Sequence, residues 1–153
     1  MKILVLLFLV YSSYCSSQEL KMYSSEEIGK LHTKPLVIHI YTDWCTVCGV
    51  ENYRIIKNKP LVKLLNENYY MIKVEAEKTK NDIFFQVKKY SFVSNGTSGL
   101  HEFAQAFSRN KLQPIYPIWI IIGTDGHLLH YQEGSFRKGE MEIVLKNLMQ
   151  NKK

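Results

Sequence analysis

Residues Pro35 to Cys48 read Pro-Leu-Val-Ile-His-Ile-Tyr-Thr-Asp-Trp-Cys-Thr-Val-Cys, and two signals meet in them. The run from Leu36 to Tyr41 is apolar apart from His39, the pattern of a strand covered on both faces. A short turn follows, then Cys45 and Cys48 at Cys-x-x-Cys spacing, with Val50, Tyr53 and Ile56 beyond them at helical spacing. A strand feeding a Cys-x-x-Cys at a helix start puts Cys45 among free backbone N–H groups at the positive helix end. A thiol there loses its proton more readily, and the thiolate is the nucleophile of disulfide exchange. Cys48, one turn on, lies beside Cys45 and can close a disulfide with it.

Outward from this stretch the chain alternates strands and helices. Ser24 and Glu27 stand at capping-box spacing, which predicts a short helix before Pro35. The redox helix is expected from Cys45 to Asn58, where Pro60 marks a break, with one more helical piece over Leu61 to Asn66. Tyr69 to Val74 reads as a second strand. Ile83, Phe84, Val87 and Tyr90 form a helical stripe over 81–90, and Leu100, Phe103, Ala104 and Phe107 form another after the loop at 94–99. Ile118 to Ile122 is a buried strand, paired as a hairpin with His127 to Gln132 across the turn at Thr124-Asp125-Gly126. Glu140 to Leu148 closes the chain as a helix. Parallel strands need crossovers while a hairpin adds antiparallel strands at an edge, so the order implies an α/β mixed sheet flanked by helices.

Length and composition agree with one such domain. The chain has 153 residues, 46% of them hydrophobic and 22% charged, which speaks against disorder. Its net charge of +6 comes from lysines spread along the chain, with no nucleic-acid motif, so it reads as a solvated basic surface. The N-terminus differs in kind. Met1-Lys2, the apolar run Ile3 to Val10 and the small-residue tail to Ser17 read as a secretory signal peptide, leaving 18–153 as the working domain. The apolar run is much shorter than the roughly 20 residues that span a bilayer, so stable membrane insertion is not expected. A lipid on Cys15 is the alternative, against which the bulky Tyr14 counts. Cleavage after Ser17 removes Cys15 and leaves Cys45 and Cys48.

Trp-Cys-x-x-Cys after a strand, with Lys34-Pro35 before it and Asp43-Trp44 leading into Cys45, resembles the thioredoxin superfamily. The likeness runs over Ser24 to Leu148 and is nearest to thioredoxin-like proteins of bacterial envelopes, including the C-terminal domain of the membrane-bound thiol reductase. It implies a thioredoxin fold, with Ser91 to Gln113 as a helical insertion before a cis-proline loop. It also implies roles. Trp44 resembles the aromatic residue that shields the pair, and Pro117, in preference to Pro114, takes the place of the cis-proline beside the sulfurs, with Tyr116 offering backbone contacts to a bound peptide. His39, six residues before Cys45, stands where thioredoxins carry a buried proton-moving Asp; it either moves protons or is a core histidine. Asp43 is expected to cap the redox helix or to shape local charge.

The function expected from these residues is disulfide exchange. Cys45 attacks, Cys48 resolves, and no organic cofactor is needed beyond the dithiol itself. A zinc site would need two more ligands, and the five histidines supply no His-x3-5-His pair. The spacing is also too small for a structural disulfide to constrain the unfolded chain much. Thr46 and Val47 bring no charge to the thiolate, which favours a reductant or exchange protein. The expected partners are proteins with disulfides and an electron-donor thiol protein, met by a monomer in the periplasm or outside the cell. An oxidant or isomerase in envelope protein folding, and a non-catalytic binding module, are the alternatives.

Overall fold

The computed structural model describes residues 18–150; the expected leader over 1–17 lies outside them. A two-residue strand β1 (Met22–Tyr23) comes first. A 3-10 helix over Ser25–Lys30 follows, capped by Ser24, whose own N–H donates to the Glu27 carboxylate at 2.7 Å. The capping box therefore starts a helix as expected, but of the tighter kind. β2 (Leu36–Tyr41) is buried throughout except at Tyr41. It lies at the centre of a five-stranded sheet ordered β1, β3 (Tyr70–Glu75), β2, β8 (Ile118–Ile122), β9 (Leu128–Glu133).

α1 (Thr46–Lys57) and α2 (Lys59–Asn68) run in series, and Asn58 serves both. Its N–H donates to the Arg54 and Ile55 carbonyls, and its Oδ1 accepts from the Leu61 N–H at 3.2 Å. Pro60 sits in the first turn of α2, where a missing N–H costs nothing. β3 (Tyr70–Glu75) then pairs parallel to β2, with Ile38 opposite Ile72 and His39 opposite Lys73.

Between β3 and the next strand of the central sheet the structure departs from the sequence reading. Residues 81–90 are not a helix but a hairpin of β4 (Ile83–Phe85) and β5 (Lys88–Tyr90), turning at Gln86 with φ 55°. The supposed stripe is split by burial: Ile83 and Tyr90 face each other and are buried, whereas Phe84 is 56% exposed and Val87 fully exposed. Aromatic and β-branched residues suit a pleated surface, and packing against the core decided their conformation. The insertion is likewise mostly strand. β6 (Phe92–Ser94) and β7 (Gly99–His101) form a second hairpin, whose turn is held by Asn95 Oδ1 accepting from the Ser98 N–H at 2.9 Å. Leu100 belongs to β7, and only Glu102–Ala106 remains helical, as α3. His101 explains the switch. Its Nδ1 accepts from the Phe103 N–H at 3.1 Å, capping α3, while its Nε2 meets the Asn81 carbonyl at 3.1 Å.

β8 (Ile118–Ile122) is wholly buried and pairs antiparallel to β2, with β9 (Leu128–Glu133) antiparallel beyond it. Gly126 makes the intervening turn at φ 83°. α4 (Glu140–Gln150) ends the described chain, and the buried Tyr69 hydroxyl donates to its Leu145 carbonyl at 2.8 Å.

The sheet separates two cores. Leu36, Ile38 and Ile40 of β2 face Ile72, Val74 and Ile120, covered by Ile28, Ile83, Phe103 and Ala104. Val37 faces the other way with Met71, Trp119 and Ile121, covered by Ile55, Leu61, Leu65, Met141 and Leu145. Helices thus cover one face. The other is closed by the 3-10 helix, the β4–β5 hairpin and α3. Among the described residues no helix is long and apolar enough to cross a membrane.

Candidate active site

β2 ends at Tyr41, and the chain turns so that the Cys45 N–H donates to the Thr42 carbonyl at 3.1 Å. Cys45 is then the N-cap of α1, an uncommon cap whose sulfur accepts from the Cys48 N–H at 3.2 Å. The two are joined as a disulfide with 5.3 Å between their Cα atoms. Cys45 is 9% exposed and Cys48 2%, so one sulfur sits at the rim and the other beneath it. The hydrogen bond and the helix end both favour negative charge on Cys45 once the pair is reduced.

Around the rim, Trp44 is 66% exposed. Its indole N–H donates to Glu77 at 3.0 Å, and its ring meets Tyr116 edge-on at 6.0 Å. The Tyr116–Pro117 peptide bond is cis. Because Ile118 lies opposite Ile40, Pro117 comes to the end of β2 where the turn into Cys45 begins. Asp43 does not cap α1. Its carboxylate pairs with Lys78, and its N–H donates to Glu75 at 3.0 Å, tying the turn to β3. Cys45 already fills the cap.

The insertion reaches this rim. Val93, Gly99, Leu100, Leu112 and Gln113 border a groove of about 490 Å³ whose other wall is Trp44, Glu77 and Tyr116. Its apolar residues also serve the core, as Phe103 and Ala104 are fully buried.

His39 is 1% exposed and lies flat on Trp119, with ring centroids 4.1 Å apart and planes 3° from parallel. Neither ring nitrogen has a hydrogen-bond partner. Burial, and secondarily the Lys73 ammonium, push its pKa down from 6.5 to about 3. The imidazole is therefore held neutral across the physiological range. The consequence for stability has a definite sign. Below pH 6.5 the unfolded chain binds a proton that the folded chain refuses, so this residue withdraws stability as pH falls from 6.5 toward 3. His39→Leu is expected to be no less stable than the wild type at pH 7. Its advantage should then grow by about 1.4 kcal/mol per pH unit on acidification. Urea unfolding at pH 7, 5.5 and 4.5 measures this; a difference independent of pH would mean that the imidazole protonates within the fold.

Sequence reasoning missed Glu51. The stripe Val50, Tyr53, Ile56 identified α1 but not its inner face, for those three are 46%, 63% and 46% exposed. The buried residues are Cys48, Glu51 and Ile55. Glu51 Oε2 accepts from the Trp119 indole N–H at 2.9 Å, and Oε1 from the Phe136 N–H at 2.6 Å. Burial raises its pKa above the ordinary carboxylate value, opposed by those two hydrogen bonds and by Arg54. A signal was present: a charged residue three positions after Cys48 and four before Ile55, on one helical face. Among the described residues no group of three or more His, Cys, Asp or Glu side chains is placed to hold a metal ion.

No family model matches the chain, and no curated protein matches it significantly. Solved structures do. A thioredoxin-fold protein from Helicobacter pylori is 15% identical, with 91% of this chain and 82% of that one covered and a TM-score of 0.57. The exposed lipoprotein thioredoxin of Streptococcus pneumoniae is 15% identical, covering 78% of this chain and 89% of its own, at a TM-score of 0.51. A DsbH oxidoreductase is 16% identical over 84% of this chain and 85% of that one, at a TM-score of 0.50. At such identities the likeness is one of architecture. The chain has the α/β thioredoxin fold.

Proposed function

We propose that this chain is a thiol–disulfide oxidoreductase that reduces or exchanges disulfides of envelope proteins through Cys45 and Cys48. The observation that carries the reading is the Cys45–Cys48 disulfide at the N-terminus of α1, with Cys45 at the rim and Cys48 beneath it. In the reduced protein the Cys45 thiolate attacks one sulfur of a substrate disulfide. That S–S bond breaks, one substrate thiolate leaves, and a mixed disulfide remains. Cys48 then attacks Cys45 Sγ, releasing the second substrate thiolate and closing Cys45–Cys48. Two electrons pass from the pair to the substrate, and a donor thiol protein returns them. Trp44, Tyr116 and Pro117 border the place where the substrate segment lies; Asp43 secures the turn.

Residues 1–17 act in this reading as a signal peptide, leaving 18–153 to work in the periplasm or outside the cell. The leader pattern supports it, as does the likeness to an exposed pneumococcal lipoprotein thioredoxin.

Thr46 and Val47 place no cation near Cys45, so the couple should be reducing. Equilibration with a defined thiol buffer should give a potential nearer thioredoxin's roughly −270 mV than the roughly −120 mV of a strong oxidant. A value at the oxidising end would make the protein a disulfide donor. A pair that never equilibrates would leave a binding module on a thioredoxin scaffold.

A further inference from the structure

We infer that a basic cleft between the second half of α1 and the start of α4 docks an acidic segment of the protein whose disulfide reaches Cys45. This rests on the reading of Cys45–Cys48 as an exchange site, to which it adds the chemistry of the partner. The cleft holds about 550 Å³. Its floor is apolar, built from the buried Ile55, Leu61, Phe136 and Met141. Its rim is basic. Arg54 and Lys57 stand on α1, Arg137 and Lys138 on the turn opposite, and all four are exposed.

The carboxylates of the cleft are already committed. Glu51 accepts from the Trp119 and Phe136 N–H groups at 2.9 and 2.6 Å, and Glu142 pairs with Lys146 at 2.7 Å. The cations are not. None of the ion pairs among the described residues includes Arg54, Lys57, Arg137 or Lys138, and Lys57 lies instead over the Tyr53 ring, 5.6 Å from its centre. Four like charges around one apolar floor gain from a ligand that brings carboxylates to the rim and an apolar side chain to the floor. Arg54 and Arg137, one on each wall, suit carboxylates best, because a guanidinium holds them through paired N–H donors.

The position on α1 names the carrier of that ligand. Cys45 is the N-cap of this helix. At a rise of about 1.5 Å per residue, Arg54 and Lys57 stand roughly 14–18 Å further along it. Val47, Val50 and Tyr53 lie exposed on the way. A partner footprint of ordinary size, about 800 Å², covers the thiol and the cleft together. A bilayer is flat and leaves a concave floor unfilled, whereas a side chain protruding from a protein fills it.

The test uses three synthetic peptides, each a disulfide-closed loop joined by a flexible Gly/Ser linker of about ten residues to a tail. Such a linker averages roughly 16–19 Å, the span from Cys45 to the cleft. In the first tail glutamates flank a phenylalanine, in the second lysines flank it, and in the third glutamates flank a serine. Their reduction by the reduced full chain is followed at about 0.01 M and about 1 M salt, where charges act over roughly 30 and 3 Å. The first peptide should react about tenfold faster than the second at low salt and lose that advantage at high salt. The third should fall well short of the first. Arg54→Gln with Arg137→Gln should erase most of the preference. Lys30→Gln with Lys88→Gln lowers the net charge equally, on the 3-10 helix and the β4–β5 hairpin of the other face, and should keep it. Neither double variant should change the rate with hydroxyethyl disulfide, an uncharged probe of the thiols alone.

Equal rates for the first two peptides, or for the first and third, overturn the proposal. So does a preference that the two double variants retain or lose alike. Sedimentation with vesicles of anionic phospholipid that needs Arg54 and Arg137, in a chain that does not distinguish the peptides, would make the cleft a membrane contact instead. Reduction of hydroxyethyl disulfide without discrimination among the tails refutes this proposal and spares the exchange reading. A wild type that reduces neither hydroxyethyl disulfide nor any peptide refutes the exchange reading itself, and this proposal with it.

Discussion

Cys45→Ser abolishes disulfide exchange in the expected result, leaving only the background rate of the reductant, while Cys48→Ala reacts once and stops. The asymmetry follows from burial and hydrogen bonding. Cys45 is at the rim and receives the Cys48 N–H, so it is the sulfur a partner can meet and the one whose thiolate is stabilised. Cys48 lies beneath it and meets only what is already attached to Cys45. Turnover of a protein disulfide by dithiothreitol, read beside non-reducing electrophoresis, separates the cases. Cys45→Ser should show neither turnover nor adducts; Cys48→Ala should accumulate a reducible adduct with its substrate. Adducts formed equally by Cys45→Ser would reverse the assigned roles. Partner binding that survives Cys45→Ser, in a wild type without turnover, would favour the binding module.

Phe103→Ala should cost about 3–5 kcal/mol in chemical denaturation. Phe103 is fully buried although it belongs to the 91–113 segment. Its ring meets Tyr90 at 5.2 Å, Phe107 at 4.8 Å and Phe85 at 6.3 Å, so both hairpin-bearing stretches are fastened to the sheet through it. A loss below about 1 kcal/mol, the range of ordinary surface changes, would show the segment to be an appendage. The result bears on function, because that segment forms one wall of the groove beside Trp44 and Tyr116. Deleting it whole would remove core with the wall. The informative change is at the exposed Val93 and Leu112, which touch the groove without supporting the fold. Serine at both positions should alter which protein disulfides are reduced, leaving the rate with dithionitrobenzoate unchanged. Equal rates across partner proteins would deny the insertion any part in partner choice.

The strand at Leu36 to Tyr41, the Cys-x-x-Cys at the head of a helix, the Asn58–Pro60 junction and the terminal hairpin were all legible because each is written in neighbouring residues. Continuous apolar residues declare a strand buried on both faces, and Pro and Gly mark the breaks. The segment from 81 to 107 was not legible. Its aromatic and β-branched residues recur every three or four positions, which suits a helix on paper. Yet Ile83, Tyr90, Phe103 and Ala104 are the ones buried in the core, with Phe85, Leu100 and Phe107 packed against it, and most of the backbone folds as two hairpins. The inner face of α1 was hidden for a related reason. Periodicity announces a helix but does not say which stripe the sheet will cover; here the more apolar stripe stays outside and Cys48, Glu51 and Ile55 go in.

The sequence alone therefore determined the Cys45–Cys48 pairing, its place at a strand–helix junction and the class of sheet, since these depend on spacing along the chain. Only the tertiary structure decided that His39 is sealed neutral against Trp119 and that Asp43 serves Lys78 instead of the helix. It alone brought the buried Glu51 carboxylate to the Trp119 and Phe136 N–H groups. Each of those outcomes depends on desolvation and on donors brought from distant parts of the chain: Trp119 is 68 residues from Glu51, and Phe136 is 85.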